Sequence, residues 1–571
     1  MPDHAAPDHA APDHAAPDHA APASEPDTTF ADVLAGLDRD GRGLSFTGGD
    51  RERRIDFAEL GALTRDLAAR WAGLGVRRGD RVVLVVADER EFALLFLSAL
   101  RAGVVAVPVY PPYRIGQLES YPADLRRSRA AVAAVCCVVG AALREFVEGA
   151  LGGVPVHTPQ DLAGAPPGPV HAPRPEDAAF LQFSSGSTGA PKAVTISHRA
   201  LLANARAIRG VLATDGDHDR AVSWLPMYHD MGLVGFLLVP LLDQVPTWYL
   251  PPLRFARDPL SWPRLMSEVG ASIAFAPNFA YGLVARRAAN ADLGALDLSR
   301  WRVAGCGAEP VHADTLAAFA DRFAGAGFRR TAFMPSYGLA ESTLAVALTP
   351  RDSGVTTLAA DAGVLARRGR AAPPTSAGSR VVDLVSCGPP VEGAEVRVVG
   401  PAGEPRPDGE EGEIVVRGPS LADGYHGDPE GTARAWRDGW LHTGDHGLLH
   451  EGLLYVTGRV KDLIVVNGVN YHPHDIERAA SEVPGVRLGN VAALAVRDGD
   501  TEGVRLAVAT SREVDRDTLA TEVRNAVSRR IGLPLRDVVV VRGDLPKTSS
   551  GKLRRSRTAD LLDEGGLVSG S

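Results

Sequence analysis

Apolar and polar positions along the first part of the chain predict strands that alternate with helices. Continuous apolar runs predict buried strands, and apolar residues at three- to four-residue spacing predict helices. The predicted strands span residues 81–86, 103–110, 132–139 and 178–183, and the predicted helices span 28–37, 55–74, 91–102 and 232–242. Strand–helix–strand alternation indicates a parallel sheet with helices on both faces.

From about Val391 the pattern changes to short strands and turns, and after Gly458 a smaller α+β unit is predicted. The short strands are 395–399, 413–417 and 453–457; the later unit has strands 491–496, 504–509 and 538–541 and a helix over 516–531. The expected fold class is α/β, with a large domain (28–458) that includes a small β-rich subdomain, and a small α+β C-terminal domain (459–571).

The N-terminal residues differ from the rest of the chain. Residues 2–21 are four copies of Pro-Asp-His-Ala-Ala, a period of five that fits neither a helix nor a strand. Such a segment has little apolar surface to bury, so residues 1–27 are predicted to be a disordered tail.

Composition excludes several classes of protein. The chain has 571 residues, of which 45% are apolar and 23% charged, as in globular proteins. A net charge of −9 argues against a nucleic-acid binder. We find neither an apolar run of about 18 residues, as a membrane span needs, nor a signal peptide. The four cysteines lack zinc-site spacing, so a reducing, cytoplasmic setting is expected.

Lysine usage directs attention to particular positions. The chain has 61 lysines and arginines, but its lysines are only Lys192, Lys461, Lys547 and Lys552. The guanidinium of arginine is planar and branched, whereas the ammonium of lysine is a compact point charge. Retained lysines therefore indicate sites where a guanidinium does not fit. All four lie in motifs marked by glycine or serine.

The first motif is Phe183-Ser-Ser-Gly-Ser-Thr-Gly-Ala-Pro-Lys192, which follows a predicted strand. Glycine lets backbone N–H groups approach anionic oxygens, while hydroxyls and lysine add donors and charge. The motif therefore predicts a phosphate-binding loop, although it does not match the Walker A pattern. A surface turn is the alternative.

Two further motifs lie in the large domain. Trp224-Leu-Pro-Met-Tyr-His-Asp-Met-Gly232 predicts a pocket-lining turn, with a buried core histidine as the alternative for His229. Pro335-Ser-Tyr-Gly-Leu-Ala-Glu-Ser-Thr343 predicts a strand, a turn and the start of a helix that hold Glu341 near phosphates. A carboxylate beside phosphates needs a bridging cation, and Mg²⁺ is the expected one.

The last motifs lie near the domain boundary and the C-terminus. Asp445 follows a tight turn and suits ribose hydroxyls, and Gly458-Arg-Val-Lys-Asp462 follows it. Leu545-Pro-Lys-Thr-Ser-Ser-Gly-Lys552 presents a lysine suited to charge developing on phosphorus. His442, His446 and His450 have helical spacing, but intervening glycines disfavour a helix there, so these three are not expected to bind a metal together.

Taken together, residues 29–556 closely resemble the adenylate-forming superfamily of acyl-CoA synthetases, peptide-synthetase adenylation domains and luciferases. Trp224–Leu233, 276–281, 307–310 and 545–555 resemble its fatty acyl-AMP ligase branch in particular. Another marker is the stretch between Glu341 and Cys387, which in that branch carries an insertion that braces the small domain and disfavours CoA chemistry. The resemblance implies ATP and Mg²⁺ as cofactors and a small domain that rotates between two half-reactions.

The resemblance also implies roles for individual residues. Around ATP, the β- and γ-phosphates would be held by Ser185, Gly186, Ser187, Thr188, Gly189 and Lys192, and the adenine would be framed by Gly307, Ala308, Glu309, Tyr337 and Gly338. Asp445 and Arg459 would fix the ribose, Glu341 would carry Mg²⁺, and Lys461 would be the hinge. His229, Met231, Gly232, Asn278, Phe279 and Tyr281 would line the acyl entrance. The expected catalytic residues are Lys552, which would bridge the acyl carboxylate and α-phosphate, Glu341, Thr188 and His229.

The function this implies is activation of a medium- or long-chain fatty acid to an acyl-adenylate, followed by transfer to the phosphopantetheine thiol of an acyl carrier protein. The main alternative is an acyl-CoA synthetase that uses free CoA. An amino-acid-activating domain lacks a clear acidic anchor, with Asp230 the only nearby candidate. A scaffold without turnover would have lost a reactive position, and a hydrolase using Ser185 or Ser187 lacks the GxSxG elbow.

Overall fold

The computed structural model describes most of the chain beyond the N-terminal tail. The described residues are 28–48, 52–112, 121–184, 192–375, 379–466, 469–498, 501–510, 514–547, 553–565 and 567. Residues 1–27 lie outside them, so the disorder of the tail stays a prediction. Among the described residues, no helix is both long and apolar enough to cross a membrane.

The strands follow the chain as expected, with additional short ones. They are β1 (Gly43–Phe46), β2 (Arg53–Asp56), β3 (Arg81–Val85), β4 (Val105–Pro108), β5 (Cys136–Val139), β6 (Val156–His157), β7 (Ala178–Ser184), β8 (Lys192–Ser197), β9 (Ala221–Ser223), β10 (Thr247–Tyr249), β11 (Ile273–Ala276), β12 (Val303–Cys306), β13 (Phe333–Gly338), β14 (Ala345–Leu348), β15 (Thr357–Asp361), β16 (Val381–Val385), β17 (Glu395–Val399), β18 (Gly412–Arg417), β19 (Gly424–Tyr425), β20 (Trp436–Arg437), β21 (Trp440–His450), β22 (Leu453–Arg459), β23 (Ile464–Val466), β24 (Val469–Tyr471), β25 (Val486–Asp498), β26 (Thr501–Thr510) and β27 (Asp537–Arg542).

The helices lie between these strands. They are α1 (Phe30–Ala35), α2 (Phe57–Arg70), α3 (Glu89–Ala102), α4 (Tyr121–Val132), α5 (Arg144–Leu151), α6 (Pro159–Gly164), α7 (His198–Leu212), α8 (Asp230–Gly232), α9 (Val239–Leu242), α10 (Pro252–Arg257), α11 (Ser261–Val269), α12 (Asn278–Ala288), α13 (Ala313–Phe323), α14 (Ala362–Arg368), α15 (Pro429–Ala435), α16 (Pro473–Ser481), α17 (Arg516–Ile531) and α18 (Arg555–Asp563). A π-helical turn over Leu233–Leu238 joins α8 to α9 and makes the predicted buried helix there.

Local sequence signals explain several boundaries. The Asp88 side chain accepts a hydrogen bond from the N–H of Glu91 at 2.9 Å and caps α3, which ends at Gly103 in the left-handed conformation (φ 66°). Asp515 and Gly532 enclose α17 in the same way. These caps fix the ends of both helices, and the ends lie close to the predicted ones.

Two large sheets carry most of the chain. The first has the order β14-β13-β12-β11-β9-β10-β1-β2, parallel except where β14 and β2 pair at its edges. The second has the order β19-β8-β7-β4-β3-β5-β6, in which β4, β3, β5 and β6 continue in parallel from β7. These sheets and their helices confirm the predicted α/β class.

Two predicted boundaries are wrong for a physical reason. Ile55 was expected at a helix start but lies in β2, where it pairs with Leu44 of β1 and is fully buried. Val132 was expected in a strand but ends α4, and the strand begins at Cys136. Val132 lies in an apolar run that is compatible with either structure, whereas Ile55 stands between Arg54 and Asp56; in both places the tertiary contacts decide the structure.

The β-rich part and the insertion follow the two large sheets. β17, β18, β21 and β20 form one antiparallel sheet, with β22 paired to β21. Between β14 and β17, the hairpin β15–β16 and α14 make up the predicted insertion. α14 lies against β24, and the Arg380 guanidinium lies against Gly532 at the end of α17.

The residues after Arg459 have a hydrophobic cluster of their own. β25, β26 and β27 form a sheet, and α16 and α17 pack with it through buried side chains between Ile464 and Val540. The α+β character of this unit agrees with the predicted fold class. The domain boundary at 458/459 stays a prediction.

Candidate functional site

The predicted phosphate loop joins two paired strands. β7 ends at Ser184 and β8 begins at Lys192, and these two residues are register partners. Residues 185–191 lie outside the described residues, so the predictions for Ser185, Gly186, Ser187, Thr188 and Gly189 remain predictions. What the structure describes is the base of the loop.

Glu341 lies at this base. Its Oε1 accepts hydrogen bonds from the hydroxyl of Tyr425 at 3.0 Å and from the hydroxyl of Ser184 at 3.2 Å. Burial raises the pKa of Glu341 above its ordinary value, although both hydrogen bonds lower it. The carboxylate is thus held in a fixed position beside the end of β7.

The turn that carries Glu341 differs from the predicted one. We expected the start of a helix, but Glu341 lies in a short 3₁₀ turn (Ala340–Ser342) that connects β13 to β14. Thr343 takes a positive φ of 65°, and its hydroxyl donates to the carbonyl of Ser420 at 2.7 Å. This reversal makes a hairpin, in which β14 runs back along β13.

Lys192 and Tyr425 form a second contact in the site. The Lys192 Nζ lies 4.2 Å above the centre of the Tyr425 ring, within the range of a cation–π interaction. The short strand β19 pairs with β8, which brings Tyr425 beside Val194 and close to Lys192. Tyr425 therefore touches both the retained lysine and Glu341.

Tyr425 was not predicted from the sequence. Its local signal is weak, because Gly424-Tyr425 is a strand of two residues. A Cβ at Gly424 would lie 2.5 Å from a methyl carbon of Thr432, so glycine permits a close approach there. That glycine was the one clue in the sequence.

Asp445 lies in a neighbouring polar cluster. Its carboxylate accepts a hydrogen bond from the Tyr337 hydroxyl at 2.7 Å and pairs with Arg459 Nε at 3.0 Å. Asp445 and Arg459 are register partners on β21 and β22, and Asp445 is only 7% exposed. The structure thus joins three predicted ATP-site residues through direct contacts.

The turn before Asp445 is fixed by hydrogen bonds. The N–H of Asp445 donates to the Thr443 hydroxyl at 3.0 Å, and that hydroxyl donates to the carbonyl of Ile414 at 2.7 Å. Gly444 takes a φ of 69°, which favours glycine. The tight turn predicted before Asp445 is present.

Lys461 follows closely in a 3₁₀ turn after β22. Burial lowers its pKa, the charges of Arg459 and Lys192 lower it further, and Asp462 and Asp445 oppose them. These interactions place Lys461 near both clusters. Its role as a hinge remains a prediction.

The residues predicted to frame adenine lie after β12 and at the end of β13. A Cβ at Gly307 would lie 2.6 Å from the Ser336 Oγ, so the backbone passes close to β13 there. Ala308 takes a positive φ of 66°, and Glu309 accepts a hydrogen bond from the N–H of Phe279 at 2.5 Å. Gly338 lies at the bulge where β13 pairs with β14.

Most of the predicted acyl-entrance residues begin helices. His229 precedes α8, and the carbonyl of His229 accepts from the N–H of Leu233 at 2.7 Å. Met231 is partly buried against the main core, and Gly232 leaves no room for a Cβ against the Pro226 carbonyl. This turn is tightly packed.

At the start of α12, Asn278 and Phe279 differ in exposure. Asn278 is 7% exposed and its Oδ1 accepts from the N–H of His312 at 3.0 Å. Phe279 is 38% exposed, unusual for so large an apolar side chain, and its ring lies edge-on to that of Trp224. The predicted role of Phe279 at the acyl entrance remains a prediction.

Tyr281 lies apart from these residues. It is fully buried, donates its hydroxyl to the carbonyl of Gly305 at 2.8 Å and packs edge-on against Trp262 and Phe319. The structure therefore places it in the aromatic core, and its predicted role at the acyl entrance remains a prediction.

The C-terminal loop is described at its ends. Lys552 lies outside the described residues, but Lys547 and Leu553 form a β-bridge that closes the loop. The charge of Arg554 acts on Tyr110, whose pKa is raised to about 12 by burial and by Asp124 against the opposing effect of that arginine.

Comparisons with known proteins agree on one family. The profile of the AMP-binding enzymes matches residues 38–426. A putative acyl-CoA synthetase of Caulobacter vibrioides is 36% identical over 94% of this chain and 95% of its own length. A long-chain-fatty-acid–AMP ligase of Mycobacterium tuberculosis is 34% identical over 86% of this chain and 88% of its own length.

A solved structure supports the same family assignment. It comes from a study of fatty acyl-adenylate ligases from E. coli and L. pneumophila and superposes with a TM-score of 0.88 at 35% identity. The match covers 94% of this chain and 98% of that chain. The likeness therefore extends through both the large sheets and the C-terminal unit.

Proposed function

Because the chain belongs to the AMP-binding enzyme family, in its fatty acyl-AMP ligase branch, we propose that it activates a medium- or long-chain fatty acid with ATP, releases pyrophosphate, and transfers the acyl group to the phosphopantetheine thiol of an acyl carrier protein. The observation that supports it best is the polar site in which Tyr425 contacts both Lys192 and Glu341, while Tyr337 and Arg459 hold Asp445.

The residue roles follow from the chemistry. A carboxylate is a weak nucleophile, so catalysis of its attack on the α-phosphorus rests on positioning and charge neutralisation. Lys192, with residues 185–189, would hold the β- and γ-phosphates, and Lys552 would bridge the reacting carboxylate and the α-phosphate. Asp445 would accept hydrogen bonds from the ribose hydroxyls, with Arg459 and Tyr337 fixing its carboxylate.

Glu341 suits a magnesium ion. Its carboxylate oxygen is a hard donor, and Tyr425 and Ser184 already orient it from one side. When bound, Mg²⁺ would neutralise phosphate charge as pyrophosphate leaves. The residues of this chain supply the fixed carboxylate.

The choice of thiol is the point on which two relatives differ, since one is named as an acyl-CoA synthetase and the other as an AMP ligase. Contact of the insertion with the C-terminal unit favours the ligase. α14 lies against β24, and Arg380 lies against Gly532. A C-terminal unit held in this way would turn less readily to accept free CoA.

The first experiment compares the two acceptors directly. The purified chain is incubated with ATP, Mg²⁺ and fatty acids of increasing length, with free CoA or with holo acyl carrier protein, and products are followed by mass spectrometry. Acyl-AMP should accumulate in the presence of CoA and be consumed by the carrier protein. Acyl-CoA formed at a comparable rate would overturn the proposal in favour of the CoA-dependent alternative. Lys552→Ala, which should form no acyl-AMP, is the control for contaminating activity.

A shortened chain tests the insertion itself. Asp361 and Val381 are register partners on β15 and β16, so an Asn-Gly turn between them can replace residues 362–380 and keep the hairpin. We expect normal acyl-AMP formation and at least a tenfold rise in acyl-CoA formation. Normal acyl-AMP formation with no rise would show that α14 does not select the acceptor.

A further inference from the structure

A buried cluster of one carboxylate and two imidazoles lies outside the site described above. Glu411 Oε1 lies 3.6 Å from His472 Nε2 and 3.9 Å from His446 Nδ1. One nitrogen or oxygen of each side chain lies within 4.8 Å of the other two. The three side chains therefore converge on one small volume.

The cluster joins two parts of the chain. Glu411 immediately precedes β18, and His446 lies on the neighbouring β21. His472 immediately precedes α16, in the unit that follows Lys461. Two potential ligands thus come from the β-rich sheet and the third from the C-terminal unit.

The insertion also meets the cluster. The N–H of Glu411 donates to the carbonyl of Gly369 at 2.7 Å, just after α14, and Arg370 and Glu410 form a β-bridge. Glu411 is therefore fixed through its backbone, while its side chain points toward the two histidines.

Two polar atoms of the cluster, Glu411 Oε1 and His472 Nδ1, are buried without a hydrogen-bond partner among the described residues, whereas His446 Nδ1 lies 3.5 Å from the Thr457 hydroxyl. Glu411 is 6% exposed, and within the described part of the chain its Oε1 has no hydrogen-bond partner. His472 is 9% exposed and packs against Gly458, where any Cβ would collide with its ring. A buried carboxylate oxygen without a hydrogen-bond partner destabilises the fold, so a bound cation would remove this desolvation penalty.

We propose that Glu411, His446 and His472 bind one divalent transition-metal ion of the zinc type, which ties the C-terminal unit to the β-rich sheet. Two imidazoles and one carboxylate form a ligand set that zinc uses, with a fourth position left for water. Tetrahedral bonds of about 2.0–2.1 Å separate ligand atoms by roughly 3.4 Å, so the two distances from Glu411, 3.6 and 3.9 Å, need only a small contraction. Mg²⁺ prefers oxygen ligands and would bind poorly here.

Two other histidines on β21 provide matched controls. His442 Nδ1 lies 2.8 Å from Glu413 Oε2, and His450 Nδ1 lies 2.7 Å from Asp408 Oδ2. Each of them has one carboxylate partner, and neither belongs to a three-ligand group within the described residues. The expectation that His442, His446 and His450 do not bind one metal together stays a prediction.

The experiment measures Zn²⁺ stoichiometry on the full-length chain. Because the N-terminal repeat contains His4, His9, His14 and His19, all variants carry glutamine at these four positions. The protein is stripped with a chelator, dialysed against Zn²⁺ in excess Mg²⁺, and its bound metal is measured by mass spectrometry. Co²⁺ is then added as a probe, because four-coordinate Co²⁺ absorbs strongly in the visible range.

The expected result is one tightly bound Zn²⁺ per chain and a four-coordinate Co²⁺ spectrum. His446→Ala, His472→Gln and Glu411→Gln should each weaken Zn²⁺ binding at least tenfold, since loss of one ligand removes a bond, whereas His442→Ala and His450→Ala should keep it. Circular dichroism and the melting temperature without metal show which variants remain folded, and Glu411→Gln is the mildest.

Several outcomes would overturn the proposal. One is less than a tenth of an equivalent of Zn²⁺ on the parent chain. Another is Zn²⁺ that survives in folded Glu411→Gln and His472→Gln, and a third is Zn²⁺ that is lost in His450→Ala as readily as in His446→Ala. The metal site does not depend on the proposed acyl transfer, so its failure would leave that function untouched.

Discussion

At the scale of single residues, Asp445 shows how the site keeps a charge in a buried position. Its two oxygens have separate partners, since Tyr337 donates to one and Arg459 pairs with the other. Removing one partner of a buried charge costs more than the pair itself contributes, because the remaining charge loses its compensation. The hydrogen bond from the Tyr337 hydroxyl is therefore needed to keep the buried charge of Asp445 compensated.

Tyr337→Phe tests this hydrogen bond. If Asp445 binds the ribose, loss of the hydroxyl should loosen the carboxylate and raise the KM for ATP roughly tenfold, equivalent to about 1.4 kcal/mol. The turnover number should change little, since ribose binding is shared by the ground state and the transition state. Steady-state kinetics of pyrophosphate release against ATP concentration measures both values.

Tyr281→Phe is the matched control for Tyr337→Phe. Tyr281 is also buried and donates its hydroxyl, but to the carbonyl of Gly305 in the aromatic core. This variant should melt at a lower temperature and keep the parental KM for ATP. Equal effects of the two variants on KM would mean that Tyr337 acts through general packing.

Some residues of the site can be predicted from the sequence and others cannot. Glu341, Asp445 and Arg459 were predicted because polar residues next to glycines in a turn carry a local signal. Tyr425 was missed because its importance comes from pairing with β8, a contact between segments far apart in the chain. Local patterns identify side chains with unusual chemistry but not ordinary tyrosines placed beside them by the fold.

At the scale of secondary-structure elements, His198 links two helices. It begins α7, is fully buried, and its Nδ1 accepts a hydrogen bond from the N–H of Phe30 at the start of α1. Burial lowers its pKa from 6.5 to about 4, against weaker opposing effects of Asp177 and Asp32. The link between the two helices therefore requires neutral histidine.

This lowered pKa predicts a loss of stability in mild acid. Below pH 6.5 the unfolded chain takes up a proton on His198, while the folded chain stays neutral until about pH 4. Stability from this residue is thus complete above pH 6.5 and falls as the pH is lowered, by about 2 kcal/mol between pH 7 and pH 5. Denaturant unfolding at the two pH values measures the loss.

His198→Gln separates this effect from other titrating groups. The amide is similar in size and still accepts a hydrogen bond, but it does not titrate. Between pH 7 and pH 5 the free energy of unfolding should fall by about 2 kcal/mol less in the variant than in the parent, whatever the stability of the variant at pH 7. An unchanged difference between pH 7 and pH 5 would assign the acid sensitivity to other residues.

Helix and strand boundaries were predicted best where capping residues flank a long apolar pattern. α17 was placed within its true limits, and Asp515 and Gly532 mark its ends. The turn at Glu341 was mistaken for a helix start because a strand followed by small polar residues fits both a helix and a hairpin. The pairing of β13 with β14 decides between them, and no local signal reports it.

At the scale of the whole molecule, the proposed site depends on parts that are far apart in sequence. Lys192 lies on the second large sheet, and Asp445 lies on the β-rich sheet. Glu341 lies in the turn between β13 and β14, the edge strand of the first large sheet. For Lys552 to act there, the C-terminal loop would have to reach this point from another unit. The helix that follows this loop is α18 (Arg555–Asp563).

Arg555, the first residue of α18, connects this helix to the rest of its unit. Its guanidinium binds both carboxylate oxygens of Glu477 on α16, at 2.7 and 2.8 Å, and Asp462 at 3.1 Å. Asp462 belongs to the turn that contains the proposed hinge residue Lys461. Arg555 thus links the C-terminal loop, through α18, to the proposed hinge.

Arg555→Lys tests whether this link positions Lys552, which lies three residues before it. Lysine keeps the charge but cannot make the two-pronged contact with Glu477 and reach Asp462 at the same time. We expect acyl-AMP formation to slow roughly tenfold, equivalent to about 1.4 kcal/mol, with a nearly unchanged KM for ATP, because the residues proposed to hold ATP are untouched. Arg557→Lys is the control, since Arg557 lies on the same helix and meets Asp560 and Glu564 only at 4.0 and 3.8 Å. If the two variants slow the reaction equally, or if Arg555→Lys lowers only the melting temperature, then Arg555 stabilises its unit without positioning the catalytic loop.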